Sequence, residues 1–293
     1  MGEPAGTPET SGAGGLVRLR LDVSYDGTAF HGWARQPGLR SVQAELEGAL
    51  RAVLRVPASV PVRVAVAGRT DAGVHATGQV CHCDVPAAAW EEGARPEEES
   101  AALGRRLNGL LPAELRVRHV SPAPGGFDAR WSARWRRYEY LVADDPSDRD
   151  PRTRGHVLWH PRRLDVPAMD AAARPFMGEH DFAAFCRARP DASSVRTIHE
   201  IAWQRADGDG PVRFDIRADA FCHSMVRSLV GAFLAVGDGR WPIDRPAELL
   251  AAGVRVPAIA TAPAHGLTLV EVGYPDEAEL AAQAILAKRW RGR

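Results

Sequence analysis

A short polar stretch of the sequence, residues 67–75, holds a carboxylate between an arginine and a histidine. It reads AGRTDAGVH and carries Arg69, Asp71 and His75 among glycines. Glycine lets a ligand or another backbone come close, and loops held by rigid elements commonly carry chemistry. If the loop is locally extended, Arg69 and Asp71 point the same way and the arginine keeps the carboxylate ionised. The competing interpretation is a turn or helix-cap aspartate, which is common in glycine-rich loops.

The elements on either side of this loop are predicted to be strands. Before it, the valines of residues 62–66 alternate with small or polar residues, which is the two-residue period of a strand. After it, Gly78 opens a second strand over residues 79–85. Two strands joined by a tight loop would hold the carboxylate in a fixed place. We interpret His75 as a structural residue that bonds to the loop backbone.

The rest of the chain supplies two similar sets of elements. Periodicity predicts strand, helix, strand, strand, helix and strand over residues 16–121, and the same order again over residues 134–275. Two such β-α-β-β-α-β units indicate an α+β fold of tandem ferredoxin-like halves with a largely antiparallel sheet. Residues 122–133 would connect the halves, residues 1–15 would be a disordered tail, and residues 276–293 would form a C-terminal helix.

Several predicted elements bear on the position of the site. Ser41 is predicted to cap a helix, residues 91–99 to form an exposed acidic connection, and residues 207–210 to turn a hairpin. Residues 223–236 carry an apolar stripe at helical spacing, and Arg227 lies off that stripe. Its position alone allows Arg227 to be a solvated helix charge.

Two aromatic stretches have competing interpretations. Residues 30–39 contain Trp33 and form either a surface loop anchored by that tryptophan or an RNA-facing loop, because arginine and aromatic side chains suit unstacked nucleotides. Residues 134–142 form a strand on which Tyr138 shares a face with Arg136. That face is either packed within the protein or presented to RNA.

The overall composition is that of an ordinary globular protein, with 45% hydrophobic and 25% charged residues. No apolar run approaches the roughly 18 residues of a membrane span, so no membrane association is expected. The formal net charge is zero, which argues against nucleic-acid binding unless positive charge is concentrated locally. Lys288 is the only lysine, and arginines gather at residues 130–137 and 149–163. The sequence therefore allows a basic groove on a neutral protein.

The four cysteines are Cys81, Cys83, Cys186 and Cys222, and they show no paired framework. The N-terminal residues lack the basic start and apolar centre of a signal peptide, so we expect a cytoplasmic protein with four free thiols. Cys81 and Cys83 share one strand face and are interpreted as small buried residues. A zinc site would need a second ligand pair at close spacing, and the sequence offers none, so no metal is expected.

Residues 67–75 resemble the signature of the tRNA pseudouridine synthase A family, and nine contiguous residues make the resemblance specific. Further segments resemble family segments in the family's order: SYDGTAFHGWARQ (24–36), SVQAELEGAL (41–50), TGQV (77–80), FDARWSARWRRYEY (127–140) and FCHSMVRSLVG (221–231). The resemblance covers residues 17–274. It implies the same duplicated architecture, with the sheets meeting at a central active-site cleft.

The resemblance assigns roles to three residues named above. Asp71 matches the catalytic aspartate of the family. Arg69 would support Asp71 electrostatically and fill the space left when the target base is extruded. Tyr138 would stack on the target uracil and help to handle the proton at C5. The resemblance also favours the RNA-facing interpretation of residues 30–39.

Two residues near the start of the predicted helix complete the implied site. The resemblance places Arg227 beside the catalytic carboxylate as a salt-bridge partner. The family commonly shows two histidines before Met-Val-Arg, whereas this chain has His223 and Ser224. Because one histidine of that pair is kept, His223 is a candidate for contact with RNA.

The implied reaction is the isomerisation of uridine to pseudouridine at positions 38–40 of the tRNA anticodon stem-loop, by a homodimer whose subunits are both bridged by the tRNA. The N1–C1′ bond breaks, the uracil turns and C5 joins C1′, so no redox change occurs and no cofactor is expected. The nucleotide must be extruded, because an embedded base cannot be reached. Asp71 could attack C1′, attack C6 or remove a proton at C2′, and the sequence does not choose among these.

Two other functions stay open on the sequence. A non-catalytic tRNA-binding protein or chaperone could retain the same fold, although the intact acid of residues 67–75 argues against it. A glycosidase acting on nucleosides would usually need a second carboxylate that works with the first. No such partner for Asp71 stands out in the sequence.

Overall fold

The computed structural model describes residues 15–94, 100–187, 193–205 and 210–290. The predicted tail lies almost wholly outside these ranges, as do residues 95–99 of the predicted acidic connection and residues 207–209 of the predicted turn. The described ranges contain every predicted site residue. Among them, no helix is both long enough and apolar enough to cross a membrane.

Ten strands and seven α-helices make up the described part of the chain. The strands are β1 (Leu16–Tyr25), β2 (Val64–Val66), β3 (His75–Pro86), β4 (Leu115–Pro122), β5 (Trp135–Ala143), β6 (Leu158–Trp159), β7 (Gly178–Asp181), β8 (Val195–Arg205), β9 (Val212–Ala218) and β10 (Leu267–Gly273). The helices are α1 (Val42–Val53), α2 (Ala87–Ala94), α3 (Ser100–Leu110), α4 (Val166–Ala173), α5 (Met225–Gly237), α6 (Arg245–Ala252) and α7 (Leu280–Trp290).

The strands form one sheet in the order β4-β1-β3-β10-β5-β9-β8-β7, with β2 paired to β3 and β6 paired to β5. The β3–β10 and β5–β6 pairs are parallel, and the other pairs are antiparallel. The prediction of an α+β fold with a largely antiparallel sheet is confirmed.

The middle of the sheet is the narrow parallel contact between β3 and β10. Thr268 pairs with His75 and Leu269 with Ala76, directly after the Asp71 loop. A Cβ on Gly78 would collide with the carbonyl of Val270, so only glycine allows the two backbones to approach this closely. The loop is therefore positioned where the first and second parts of the chain meet.

Two predicted boundaries in the first part of the chain are wrong. β3 begins at His75 and not at Gln79, because Ala76 already pairs with Tyr25 of β1 and with β10. Residues 91–94, expected in an exposed connection, belong to α2. The capping role of Ser41 is confirmed, because its hydroxyl accepts the Ala44 N–H at 3.4 Å.

α5 is a buried helix that starts later than predicted. It begins at Met225 and not at His223, because Ser224 adopts the left-handed conformation with φ 60° and ψ 12°. Every residue of α5 except Arg227 is buried. The interpretation of Arg227 as a solvated charge is thus wrong, since only 19% of its side chain is exposed.

Candidate active site

The Asp71 loop opens into a cleft of about 560 Å³ between the two parts of the chain. That volume lies within the range of small-ligand pockets. The cleft is lined by all five predicted site residues, Arg69, Asp71, Tyr138, His223 and Arg227. They come from the loop, from β5 and from the start of α5, so the tertiary structure brings together residues that are far apart in sequence.

The carboxylate of Asp71 faces the start of α5. Its Oδ2 accepts hydrogen bonds from Arg227 Nη1 at 3.2 Å and from Ser224 Oγ at 3.1 Å, and its Oδ1 lies 3.6 Å from His223 Nε2. Arg227 is itself fixed by a hydrogen bond from its Nε to the Ala262 carbonyl at 2.7 Å. The carboxylate of Asp71 therefore bonds to another element, although its backbone carbonyl accepts the Val74 N–H at 3.2 Å in a turn.

The predicted pairing of Arg69 with Asp71 is wrong, because within the described ranges Asp71 pairs with Arg227. Arg69 instead lies near Arg130, whose pKa is lowered by burial and by the charge of Arg69. The guanidinium of Arg130 stacks on Trp131 at 4.4 Å. Two cations that repel each other at the cleft rim create local positive potential on a chain of zero net charge.

The backbone of the loop is held from the side of residues 30–39. Trp33 donates its backbone N–H to the Thr70 carbonyl at 3.1 Å, and Gly73 donates to the Phe30 carbonyl at 3.3 Å. The Trp33 side chain is only 1% exposed. Trp33 therefore anchors residues 30–39 against the Asp71 loop. The prediction that this tryptophan anchors a surface loop is confirmed.

A buried hydrogen-bond chain supports the other side of the loop. The Gln79 amide donates to the Gly68 carbonyl at 2.8 Å and to the Tyr25 hydroxyl at 3.2 Å, and that hydroxyl bonds Thr70 Oγ1 at 2.8 Å. Burial raises the pKa of Tyr25 to about 12, so its hydroxyl stays protonated. Sequence reasoning missed this chain, although a glutamine between apolar residues of a strand was a signal for it.

Arg136 ties β5 to the beginning of the same loop. It is only 4% exposed, and its guanidinium donates to four backbone carbonyls, those of Ala67, Arg130, Ala133 and Asp219. The shortest of these bonds, from Nη2 to the Ala67 carbonyl, is 2.7 Å. The RNA-facing interpretation of this strand face is therefore wrong for Arg136, which packs inside the protein.

Replacing Arg136 with methionine is expected to lower the free energy of unfolding by about 3–5 kcal/mol, because four backbone carbonyls lose their donor and two of them are fully buried. The measurement is urea denaturation of both proteins. Arg137→Met is the matched control: its guanidinium lies on the opposite strand face in a half-exposed ion pair with Glu271, so its loss should cost less than about 1 kcal/mol. Equal losses in the two variants would contradict the prediction.

Tyr138 is packed in the sheet yet borders the cleft. It is 7% exposed, and its ring makes an edge contact with Phe221 at 5.1 Å between centroids. A Cβ placed on Gly68 would lie 3.9 Å from its hydroxyl, so the hydroxyl lies beside the start of the Asp71 loop. Burial raises the pKa of Tyr138, which keeps the hydroxyl protonated at neutral pH. Such a group can donate a proton or a hydrogen bond to a bound molecule.

His75 is a structural residue, as predicted, but its backbone partners lie outside the loop of residues 67–75. Its Nδ1 accepts the Gly27 N–H at 3.0 Å, and its Nε2 lies 3.1 Å from the His265 carbonyl, to which it donates as the neutral ring. Asp26, His75 and His156 offer ligand atoms within 4.8 Å of one another. Both nitrogens of His75 are engaged with backbone groups, however, so this cluster does not present His75 to a metal ion.

The stability of the folded protein is expected to fall as the pH drops below about 6.5, the ordinary pKa of histidine. Burial and the neighbouring His156 lower the pKa of His75 in the folded state. The unfolded chain then binds more protons than the folded chain in that range, which favours unfolding. Denaturation at pH 8 and pH 5.5 measures this loss. The His75→Asn protein should lose less stability over the same interval, and an identical loss would exclude His75 as a cause.

The cysteines differ in part from expectation. Cys81 and Cys83 are free and buried, as predicted. Cys186 and Cys222 form a disulfide, with Cα atoms 5.7 Å apart, so the expectation of four free thiols is wrong. The fold brings residues 36 positions apart together, because the segment after β7 lies against the segment before α5. There Arg187 donates its N–H to the His223 carbonyl at 3.1 Å.

Comparison with known proteins places this site in context. A family model described as tRNA pseudouridine synthase matches residues 172–275. Among solved structures, one titled "Structure of H/ACA RNP bound to a substrate RNA containing 2'-deoxyuridine" aligns at 13% identity over 90% of this chain and 61% of that chain. Its TM-score is 0.30, which is too low to define a shared fold.

Two curated relatives are much closer. tRNA pseudouridine synthase A of Streptomyces griseus is 54% identical over 277 residues, which cover 94% of this chain and 95% of the relative. tRNA pseudouridine synthase A of Frankia casuarinae is 55% identical over 277 residues, covering 94% and 96% respectively. Since more than half of the aligned residues are identical over nearly the whole length of both relatives, the chain belongs to the tRNA pseudouridine synthase A family.

Proposed function

We propose that this chain is an isomerase that converts uridine to pseudouridine in tRNA, at positions 38–40 of the anticodon stem-loop. One observation carries the proposal: the carboxylate of Asp71 is held by Arg227 in the cleft that Tyr138 also lines. Membership of the family supports the same reaction. The choice of positions 38–40 rests on the family resemblance of the Asp71 loop.

The geometry suggests how the site would act on an extruded nucleotide. A target base cannot react while it is stacked, so the uridine must leave the helix and enter the cleft. The ion pair with Arg227 holds the Asp71 carboxylate in place at the cleft. Attack at C1′, attack at C6 and removal of the C2′ proton all use that charged oxygen, so all three routes stay open.

Other cleft residues would handle the base and the backbone. The neutral hydroxyl of Tyr138 is suited to exchange a proton at C5 of the uracil after the base has turned. Arg69 and Arg130 would bind the phosphates next to the extruded nucleotide, because both line the cleft and lie close enough for their charges to repel. His223, 3.6 Å from Asp71, would contact the ribose or the base.

The duplicated architecture is part of the proposal. The strand order β4-β1-β3-β2 in the first part of the chain matches β10-β5-β9-β8 in the second, which supports ferredoxin-like halves at residues 16–121 and 134–275. Residues 122–133 would join them, and α7 would follow as a C-terminal helix. We also propose a cytoplasmic homodimer in which each tRNA bridges both subunits; sedimentation with and without tRNA measures the stoichiometry of the complex.

The test uses tRNA transcripts in which only one uridine is labelled with tritium at C5. The labelled uridine stands at position 38, 39 or 40. Joining C5 to C1′ expels that hydrogen, so pseudouridine formation releases tritium to water. We expect release from each transcript by the wild-type protein, and none from a transcript whose only labelled uridine lies elsewhere in the stem.

Different results would favour the other two functions. Tight binding of tRNA without tritium release would indicate a non-catalytic RNA-binding protein. Free uracil among the products would indicate a glycosidase. If tritium were released only from uridines outside positions 38–40, the proposed reaction would stand and the proposed positions would be wrong.

A further inference from the structure

Ser224 occupies an unusual backbone position. Its φ of 60° and ψ of 12° are left-handed, a conformation that residues with a side chain rarely adopt. Among the described residues, Arg55 is the other non-glycine residue with positive φ. A serine that precedes a helix normally has extended φ and ψ and caps the helix with its hydroxyl. Ser224 makes no such capping bond with α5.

The hydroxyl that does not cap α5 is directed to Asp71 instead. Ser224 Oγ donates to Asp71 Oδ2 at 3.1 Å, and Arg227 Nη1 donates to the same oxygen at 3.2 Å. The other oxygen, Oδ1, lies 3.6 Å from Nε2 of His223, beyond hydrogen-bond distance. The two carboxylate oxygens of Asp71 therefore have different environments: Oδ2 is held by two donors, and Oδ1 is held less closely.

We propose that Ser224 is a positioning residue that fixes Oδ2 of Asp71, so that Oδ1 is the oxygen presented to the substrate. A single donor lets a carboxylate swivel about its Cβ–Cγ bond, whereas two donors from different directions hold it in one orientation. Hydrogen bonds to a charged acceptor are also stronger than neutral ones. The inference rests on the proposed function, and it holds for each of the three routes by which Asp71 could act.

The test separates the hydroxyl from the backbone conformation. Ser224→Gly removes the donor but adopts positive φ more easily than serine, so the variant should be at least as stable as wild type. Ser224→Asn tolerates positive φ and restores a donor. Each protein is measured for its single-turnover rate constant at saturating tRNA, its tRNA affinity and its free energy of unfolding.

We expect Ser224→Gly to lower the single-turnover rate constant about tenfold to a hundredfold, with tRNA affinity and stability preserved. Ser224→Asn should recover part of that loss. Arg55→Gly is the matched control, because it removes the other positive-φ side chain at an exposed position after α1. It should keep the wild-type rate constant.

Two results would overturn the inference. One is a Ser224→Gly protein with the wild-type rate constant. The other is a crystal structure of that variant in which the Asp71 carboxylate keeps its single orientation, since we expect it to rotate or to occupy two orientations. The orientation of the Asp71 carboxylate can be measured in a protein that has no activity. An inactive wild-type protein would therefore exclude the proposed function, while the carboxylate orientation would still decide the role of Ser224.

Discussion

Replacing Asp71 with asparagine is expected to lower the rate of pseudouridine formation by at least about 10⁴-fold. The amide has nearly the same shape and can still accept bonds from Ser224 and Arg227. It lacks the charge that any of the three routes requires. Since the shape of the cleft is kept, tRNA affinity should change only a few-fold. Tritium release and filter binding with the same labelled tRNA measure the two quantities.

A second carboxylate in the same cleft provides the control for this variant. Asp128 lines the cleft, but its Oδ1 accepts the backbone N–H groups of Arg130 and Trp131 at 2.9 Å, as in an ordinary turn. Asp128→Asn should therefore retain activity within about tenfold. Tritium release by the Asp71→Asn protein at the wild-type rate would remove Asp71 from the reaction.

Replacing Tyr138 with phenylalanine should reduce the rate about 10²- to 10⁴-fold, the range for loss of a general acid or base. The ring and its edge contact with Phe221 are retained, so the fold and the stacking surface persist. Only the protonated hydroxyl beside Gly68 is lost. The chemical step is measured as single-turnover tritium release at saturating tRNA.

Tyr140 is the matched control, two residues along the same strand face. Its hydroxyl is also buried but donates to the Pro263 carbonyl at 2.9 Å, and the residue does not line the cleft. Tyr140→Phe should cost about 1 kcal/mol of stability and leave the rate unchanged. If both variants lost activity equally, the effect would come from packing of β5 and not from the hydroxyl of Tyr138.

Local patterns in the sequence determined much of the frame around the site. The alternation in β1, the capping serine and apolar stripe of α1, and the loop of residues 67–75 between two strands all follow from interactions between near neighbours in the chain. Short-range preferences act within a few residues, so a single sequence is enough to predict them.

Pairings between distant segments were decided only by the tertiary structure. Asp71 is held by Arg227, 156 positions away, and not by Arg69 in its own loop. Arg136 is buried, whereas the sequence left open whether its strand face is packed or presented to RNA. Cys186 meets Cys222 only because two loops pack together. Each outcome depends on which surfaces become adjacent when the sheet and helices pack. The periodicity of the sequence does not predict these contacts between distant segments.

The left-handed conformation of Ser224 shows, at a single residue, the difference between what the local sequence predicts and what tertiary packing decides. The sequence placed Ser224 in the first turn of a helix predicted over residues 223–236, where right-handed helical dihedrals are expected. In the folded structure Ser224 is left-handed and precedes the helix, and its hydroxyl bonds the carboxylate of Asp71. Residue types and local elements were thus set by the sequence alone. The direction in which each functional group points was set by contacts that form only when the chain is folded.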